Sequence, residues 1–258
     1  MLRVRRRHHP QHGLRWLGGA AALLFAVAAL PAAPAFGPGA LSKMTASTLR
    51  LAPASLRGVL AAYRGYVDRG LLDAVEKERN QPSGVLTAVL QTEIQQIPDL
   101  AKRQTPFEEV AYRFGRVAGL AYLLNDPLRD PRDPKLAAIC DDYRGYLERK
   151  LPLMPLTFDG YDDPPMEGDA DAYFRAGLAR QARYREALLF CYYKDGRQLS
   201  SDTFDDRSNA YGVAQSIASH AVSDAAKTWF YLWGAMDGDL SATPYYHPPK
   251  DAKEAENK

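Results

Sequence analysis

Residues 105–127, TPFEEVAYRFGRVAGLAYLLNDP, give the clearest structural signal in the chain. Apolar side chains recur at spacings of three and four from Phe107 to Tyr122, which is the periodicity of an amphipathic α-helix. Thr105-Pro106-Phe107-Glu108 has the form of a capping box with proline at the first helical position. Asn125-Asp126-Pro127 is a stop signal. The stretch therefore predicts a helix with one buried face.

Helical periodicity extends outward from this stretch in both directions, and no run alternates convincingly as a strand does. The further predicted helices cover residues 45–51, 55–77, 84–103, 133–150, 169–194 and 205–236. In a chain of 258 residues, 46% of them hydrophobic, a sizeable core can form. Because the connecting loops are mostly short, we predict an all-α protein, a single multi-helix bundle over residues 36–247.

The first 35 residues have the layout of a secretory signal peptide. Five arginines precede an apolar run, Trp16–Leu30, and the small residues Ala33 and Ala35 flank Pro34 at a cleavage site. A membrane anchor is the alternative, but this run would span only about 22 Å against a bilayer core of roughly 30 Å. We expect export to a periplasm or the medium, with no transmembrane segment after cleavage. Residues 248–258 are charged, and we expect them to be disordered.

The net charge of the chain changes sign when the predicted signal peptide is removed. The whole chain carries a formal charge of +2, and losing the five leader arginines makes it −3. Basic leader residues are explained by targeting, and no basic patch of the kind that binds phosphate backbones remains. We therefore expect no nucleic-acid partner.

Two cysteines, Cys140 and Cys191, lie in predicted helices. An oxidising compartment would permit a disulfide between them. Two small buried thiols are the other interpretation. The sequence leaves both open.

Two short frames resemble the zinc-dependent phospholipase C and S1/P1-type nuclease superfamily. Residues 36–45, FGPGALSKMT, follow that family's amino-terminal frame W-G-x-x-x-H-x-x-I-T, with Phe36 at the tryptophan and Leu41 at the histidine. Residues 119–129, GLAYLLNDPLR, follow H-x-x-x-D-x-x-Q-P-L-H. In this second frame Gly119, Leu123 and Arg129 replace histidine, aspartate and histidine.

This resemblance implies an exported all-α fold, whose family members are phosphoric ester hydrolases with a cluster of zinc ions. A zinc ligand must offer a lone pair of nitrogen, oxygen or sulfur, which glycine and leucine side chains lack. After residue 35 the chain holds only two histidines, His220 and His247, too few for the family's cluster. We therefore expect no cofactor, and zinc only if a reduced site exists.

His220 and Asp224, which are four apart and share a helix face, are the candidates for a lesser site. That spacing suits a metal pair or a carboxylate-oriented base, although a hydrogen-bonded core histidine is the simpler interpretation. The amine of Phe36, freed by cleavage, is a further metal candidate. Asp141 and Asp142 are others, and surface acids are the simpler interpretation for them.

We expect a binding or envelope-associated protein that is not an enzyme. The alternative is a phosphodiester hydrolase, acting on phospholipid or nucleic acid through a reduced or relocated metal site. Fold analogy alone supports that alternative weakly. Tyr143 and Tyr146, taken as surface residues, suggest a lipid or another envelope component as partner.

Overall fold

Eight α-helices make up most of residues 36–129, 133–161 and 170–247, which are the residues that the computed structural model describes. They are α1 (Pro38–Leu51), α2 (Ala54–Ala62), α3 (Arg64–Glu78), α4 (Ser83–Lys102), α5 (Phe107–Leu124), α6 (Pro134–Lys150), α7 (Ala170–Tyr192) and α8 (Asn209–Ala235). Two-residue strands β1 (Tyr193–Lys194) and β2 (Arg197–Gln198) pair antiparallel. The all-α prediction is confirmed. The expected signal peptide and tail lie outside the described residues.

Helix α5 runs through the centre of the bundle and packs against α3, α4 and α8. Almost every residue of its last three turns is buried, which agrees with the apolar periodicity of residues 107–122. The indole Nε1 of Trp229 in α8 donates a hydrogen bond of 2.9 Å to the carbonyl oxygen of Phe114. Both rings are fully buried, so this bond fixes α8 against α5 inside the core.

Glycines allow α3 and α5 to approach until their backbones touch. A Cβ atom added at Gly70 would lie 1.9 Å from the carbonyl oxygen of Tyr112, and one added at Gly115 would lie 2.0 Å from that of Val67. No side chain larger than hydrogen fits at either position without moving a backbone. The two helices are therefore held at a separation that only glycine permits.

Helix α1 begins at Pro38, seven residues before the predicted start at Thr45. No side chain of its own N-terminal turn caps it. Instead, the carboxylate of Glu148 in α6 accepts hydrogen bonds from the amides of Gly39 at 2.7 Å and Ala40 at 3.1 Å. A cap supplied from more than a hundred residues away leaves no local sequence signal.

Other boundaries also differ from the predictions. The predicted helix over 55–77 is two helices, because the backbone at Tyr63 leaves the helical region with φ −106° and ψ 27°. The capping box is wrong: Pro106 is itself the extended N-cap residue of α5, and no side-chain bond caps the helix.

Both cysteines are free thiols, and the Sγ of buried Cys140 donates to the carbonyl oxygen of Leu136 at 3.3 Å. Burial raises the pKa of Cys140 to about 11. Among the helices described, none is long and apolar enough to cross a bilayer.

Candidate functional site

The positions where the resemblance would place zinc ligands are closed by packing. Leu41 and Leu123 are buried core residues. A Cβ atom at Gly119 would lie 2.8 Å from the carbonyl oxygen of Leu71 and 2.9 Å from the Cβ of Ala74, so a histidine there would collide with α3. Arg129, nearly buried, donates to Gln81 and Ser83. These residues do not fit a zinc cluster.

Of the other metal candidates, Phe36 lies in the core and Asp141 lies at the surface. Phe36 is only 1% exposed, with its ring in the core. The carboxylate of Asp141 is 91% exposed and lies 3.5 Å from Arg144. In residues 36–129, 133–161 and 170–247, no three or more His, Cys, Asp or Glu side chains come together in a way that could hold a metal.

Asp142 joins α6 to the segment before α8. Its carboxylate accepts hydrogen bonds from the hydroxyl of Tyr192 at 2.9 Å, the amide of Ser201 at 3.0 Å and the hydroxyl of Ser200 at 3.2 Å. Burial opposes the charge, but these hydrogen bonds outweigh it and lower the pKa of Asp142. The residue is thus an ionised structural acceptor.

His220 is half-buried on α8, with polar groups on both sides of its ring. Its Nδ1 lies 2.6 Å from the hydroxyl of Tyr184 and 2.9 Å from the carbonyl oxygen of Ser216. Its Nε2 lies 3.7 Å from the carboxylate of Asp159. The imidazole is therefore oriented by α7 and by the segment after α6.

Asp224 lies one turn further along α8 and makes different contacts. Its carboxylate accepts hydrogen bonds from Asn125 at 2.8 Å, Arg180 at 2.7 Å and the hydroxyl of Tyr173. No contact joins it to His220 within the described part of the chain. The predicted histidine–aspartate pair thus shares a helix but not a site, and the charge of Asp224 is balanced by Arg180.

A cleft of about 1100 Å³ lies between α7 and the first three turns of α8, and His220 lines it. The charged side chains that line it are Arg180, Arg183, Glu186, Asp206, Arg207 and His220. Arg180 is paired with Asp224, and Asp206 lies 2.8 Å from Lys150. Over the described ranges, the side chains of Arg183, Glu186 and Arg207 have no ion-pair partner.

A smaller pocket of about 410 Å³ adjoins this cleft. Phe190, Cys191, Ser208 and Asn209 line both cavities, while Tyr193, Lys194, Leu199, Phe204 and Ala210 line only the pocket. Phe190 is 74% exposed at the boundary. The cleft is thus lined mainly by charged and polar side chains, and the pocket beside it has more apolar ones, with Lys194 as its one charged residue.

The cleft is not predicted from the sequence, although α7 carries a signal for it. Arg180, Arg183, Tyr184 and Ala187 recur at spacings of three and four, so they form one helix face. Because a basic helix face usually indicates contact with solvent, this pattern does not by itself predict a binding cleft. The suggested lipid contact through Tyr143 and Tyr146 is wrong, because both are buried, at 2% and 1% exposure.

Known proteins supply no relative from which a role for this cleft can be transferred. No family model, curated protein or solved structure matches the chain.

Proposed function

We propose that the chain is an exported binding protein on a phospholipase C/P1 nuclease-like bundle, without the zinc chemistry, and that the α7–α8 cleft is its binding site. The observation that carries this proposal is the packing at Gly119. Where the resemblance requires the first histidine of its helical frame, the backbone of α3 leaves no room for a side chain.

Replacing polar ligands with apolar groups removes the need for ions. Buried carboxylates and imidazoles without a metal would be costly, whereas buried leucine stabilises the core. Leu41 and Leu123 supply such apolar volume. A protein that has lost its metal in this way keeps the bundle and can use another surface for recognition.

The cleft has the features of a ligand site. It is concave, it combines charged and polar side chains with aromatic ones, and it lies between two long helices. Two guanidinium groups, those of Arg183 and Arg207, are available for a ligand. The proposed role of the cleft is therefore binding of an anionic envelope component.

Metal analysis of the mature protein tests the absence of zinc chemistry. We expect less than about a tenth of an equivalent of zinc per chain when the protein is purified without chelators or a histidine tag. A phosphodiesterase assay with bis-p-nitrophenyl phosphate should give no chelator-sensitive rate. Stoichiometric zinc together with such a rate would contradict the proposal.

A phosphodiester hydrolase remains the second candidate, because His220 is held from both sides at the edge of a cleft. Its imidazole contacts Tyr184 at 2.6 Å and faces Asp159 at 3.7 Å, an arrangement that suits a general base. If the chain hydrolyses phosphodiesters, His220→Ala should abolish the rate while His247→Ala should not. Equal rates in the two variants would exclude this candidate.

A further inference from the structure

We infer that the α7–α8 cleft and the adjoining pocket together bind a single-chain anionic amphiphile. The anionic head group lies between Arg183 and Arg207, and the hydrocarbon chain crosses Phe190 into the pocket. This inference rests on the proposed binding function and specifies its ligand class. It requires a basic site, an apolar site and an open path between them.

The head-group site follows from the charge balance of the cleft. Asp206 is engaged by Lys150, and Arg180 is engaged by Asp224. This leaves the guanidinium groups of Arg183 and Arg207 against the single carboxylate of Glu186, with His220 nearby. Two cations without ion-pair partners in the described ranges favour an anion, and guanidinium groups suit carboxylate and phosphate oxygens equally.

The amino terminus of α8 adds to this positive potential. The helix has 27 residues, its Ser208 N-cap lines the cleft, and so does Asn209 in its first turn. The partial positive charge of a helix start favours an anion there. This contribution supports the arginines and would not define a site alone.

The chain site follows from the apolar lining of the pocket. Leu199, Phe204 and Ala210 supply apolar walls, with Tyr193 and Lys194 also lining the pocket. The thiol of Cys191, whose pKa is raised by burial, is neutral at physiological pH. Phe190 leaves 74% of its surface in water although it stands between two cavities. A hydrocarbon chain laid over this ring would remove its apolar surface from solvent.

The cleft and the pocket adjoin, because four residues line both. These are Phe190, Cys191, Ser208 and Asn209, and a hydrocarbon chain that crosses the exposed ring of Phe190 would pass from the cleft to the pocket. At about 410 Å³ against about 1100 Å³, the pocket is much the smaller of the two. It therefore suits one chain better than two.

Calorimetric titration of the mature protein with monomeric ligands tests this inference. The probes are dodecyl phosphate, dodecanoate, butyl phosphate, inorganic phosphate and the uncharged dodecyl maltoside. We expect one of the two anionic dodecyl ligands, or both, to bind at 1:1 stoichiometry, and the stronger of them identifies the head group. Affinity should rise by up to about fourfold for each methylene that enters the pocket.

Exposed positions provide matched variants. Arg207→Ala should weaken dodecyl phosphate or dodecanoate binding by at least about tenfold, whereas Arg103→Ala, outside both linings, should not. Phe190→Ser should weaken the dependence of affinity on the length of the ligand's hydrocarbon chain. Leu153→Ser, at a residue 78% exposed, should leave that dependence unchanged. Since Phe190 and Arg207 are exposed, neither variant should unfold.

Several results would overturn the inference. Equal affinities for butyl and dodecyl phosphate would exclude the hydrocarbon-chain site and would leave only an anion-binding site. Binding of dodecyl maltoside with the same affinity as the anionic dodecyl ligands would exclude the anionic head-group site. Stoichiometric zinc with phosphodiester hydrolysis would instead overturn the proposed function, whatever the dependence on chain length. Failure of every probe to bind would overturn the amphiphile inference itself.

Discussion

At the scale of single residues, Glu148 shows how one side chain can fix the start of a distant helix. Its two carboxylate oxygens accept from consecutive amides at the amino terminus of α1. A negative charge at that end is also favourable for the helix dipole. A Cβ atom at Gly37 would lie 2.3 Å from Glu148 Oε2, so a larger residue there would displace the carboxylate from the helix start.

Replacing Glu148 should therefore destabilise α1. We expect Glu148→Ala to lower the free energy of unfolding by about 1–2 kcal/mol, as loss of a helix cap does. Glu148→Gln, which keeps an acceptor but loses the charge, should cost less. Urea unfolding measures both, with exposed Glu76→Ala as the control. An effect no larger than that of the control would show that the contact does not stabilise the fold.

Tyr122 is a second informative residue, because its hydroxyl is fully buried and bonded to the hydroxyl of Thr48 at 2.8 Å. Burial raises the pKa of Tyr122 to about 12. A folded pKa above the unfolded value of about 10 favours folding below pH 10, and this contribution is lost as the pH rises through about 12.

The free energy of unfolding of the Tyr122→Phe variant should accordingly fall less steeply with rising pH than that of the parent protein. At pH 7 the substitution should cost about 1 kcal/mol, since the Thr48 hydroxyl keeps the carbonyl oxygen of Met44 as acceptor. Between pH 10 and 12 the variant should lose roughly 2–3 kcal/mol less than the parent protein. Urea unfolding across this range checks it, with exposed Tyr245→Phe as the control. Parallel pH curves would contradict the argument.

At the scale of elements, the contact between α3 and α5 depends on glycine. Gly115→Ala would place a Cβ atom 2.0 Å from the carbonyl oxygen of Val67, and neither backbone can move without shifting a core helix. We expect a loss of about 3 kcal/mol or more in the free energy of unfolding. Thermal and urea unfolding measure it.

Gly58→Ala in α2 is the matched control, because a Cβ atom there meets nothing within 4 Å. Since alanine favours a helix over glycine, this variant should gain about 0.5–1 kcal/mol. Opposite signs for the two substitutions are the expected result. A mild effect at Gly115 would mean that α3 and α5 can separate easily.

Helices could be predicted from the sequence where their signals are local. The buried face of α5 follows from residues 107–122, and the end of α6 agrees with the prediction at Lys150. The start of α1 could not be predicted, because its cap comes from Glu148 in another helix. The break at Tyr63 is hidden since apolar residues continue in helical register across it.

The candidate site was predictable only in part. His220, which the sequence predicts as a site residue, lies at the cleft. The partner expected for it, Asp224, faces Arg180 instead, because α7 supplies a guanidinium that no spacing within α8 indicates. Arg183 and Arg207 come from different segments, so only the tertiary packing of α7 beside α8 brings them into one cleft.

At the scale of the whole molecule, the described helices belong to one compact unit, and Asp224 links three of them. Its carboxylate, only 5% exposed, binds Arg180 of α7 and Asn125 at the end of α5, and Asp224 itself belongs to α8. Arg180 also lines the cleft. The ion pair therefore couples the stability of the bundle to the geometry of the proposed binding site.

Asp224→Ala should destabilise the protein strongly, because it leaves the largely buried guanidinium of Arg180 without its carboxylate. We expect a loss of about 3–5 kcal/mol in urea unfolding, whereas Asp224→Asn, which keeps polar contacts, should lose less. The control is Asp99→Ala, which removes the exposed pair with Lys102 and should change stability by less than about 0.5 kcal/mol. Arg180→Met combined with Asp224→Leu should recover much of the loss, since an apolar pair needs no compensating charge. If Asp224→Ala behaved like the Asp99 control, α7 would not be held by this pair, and the cleft would need another support.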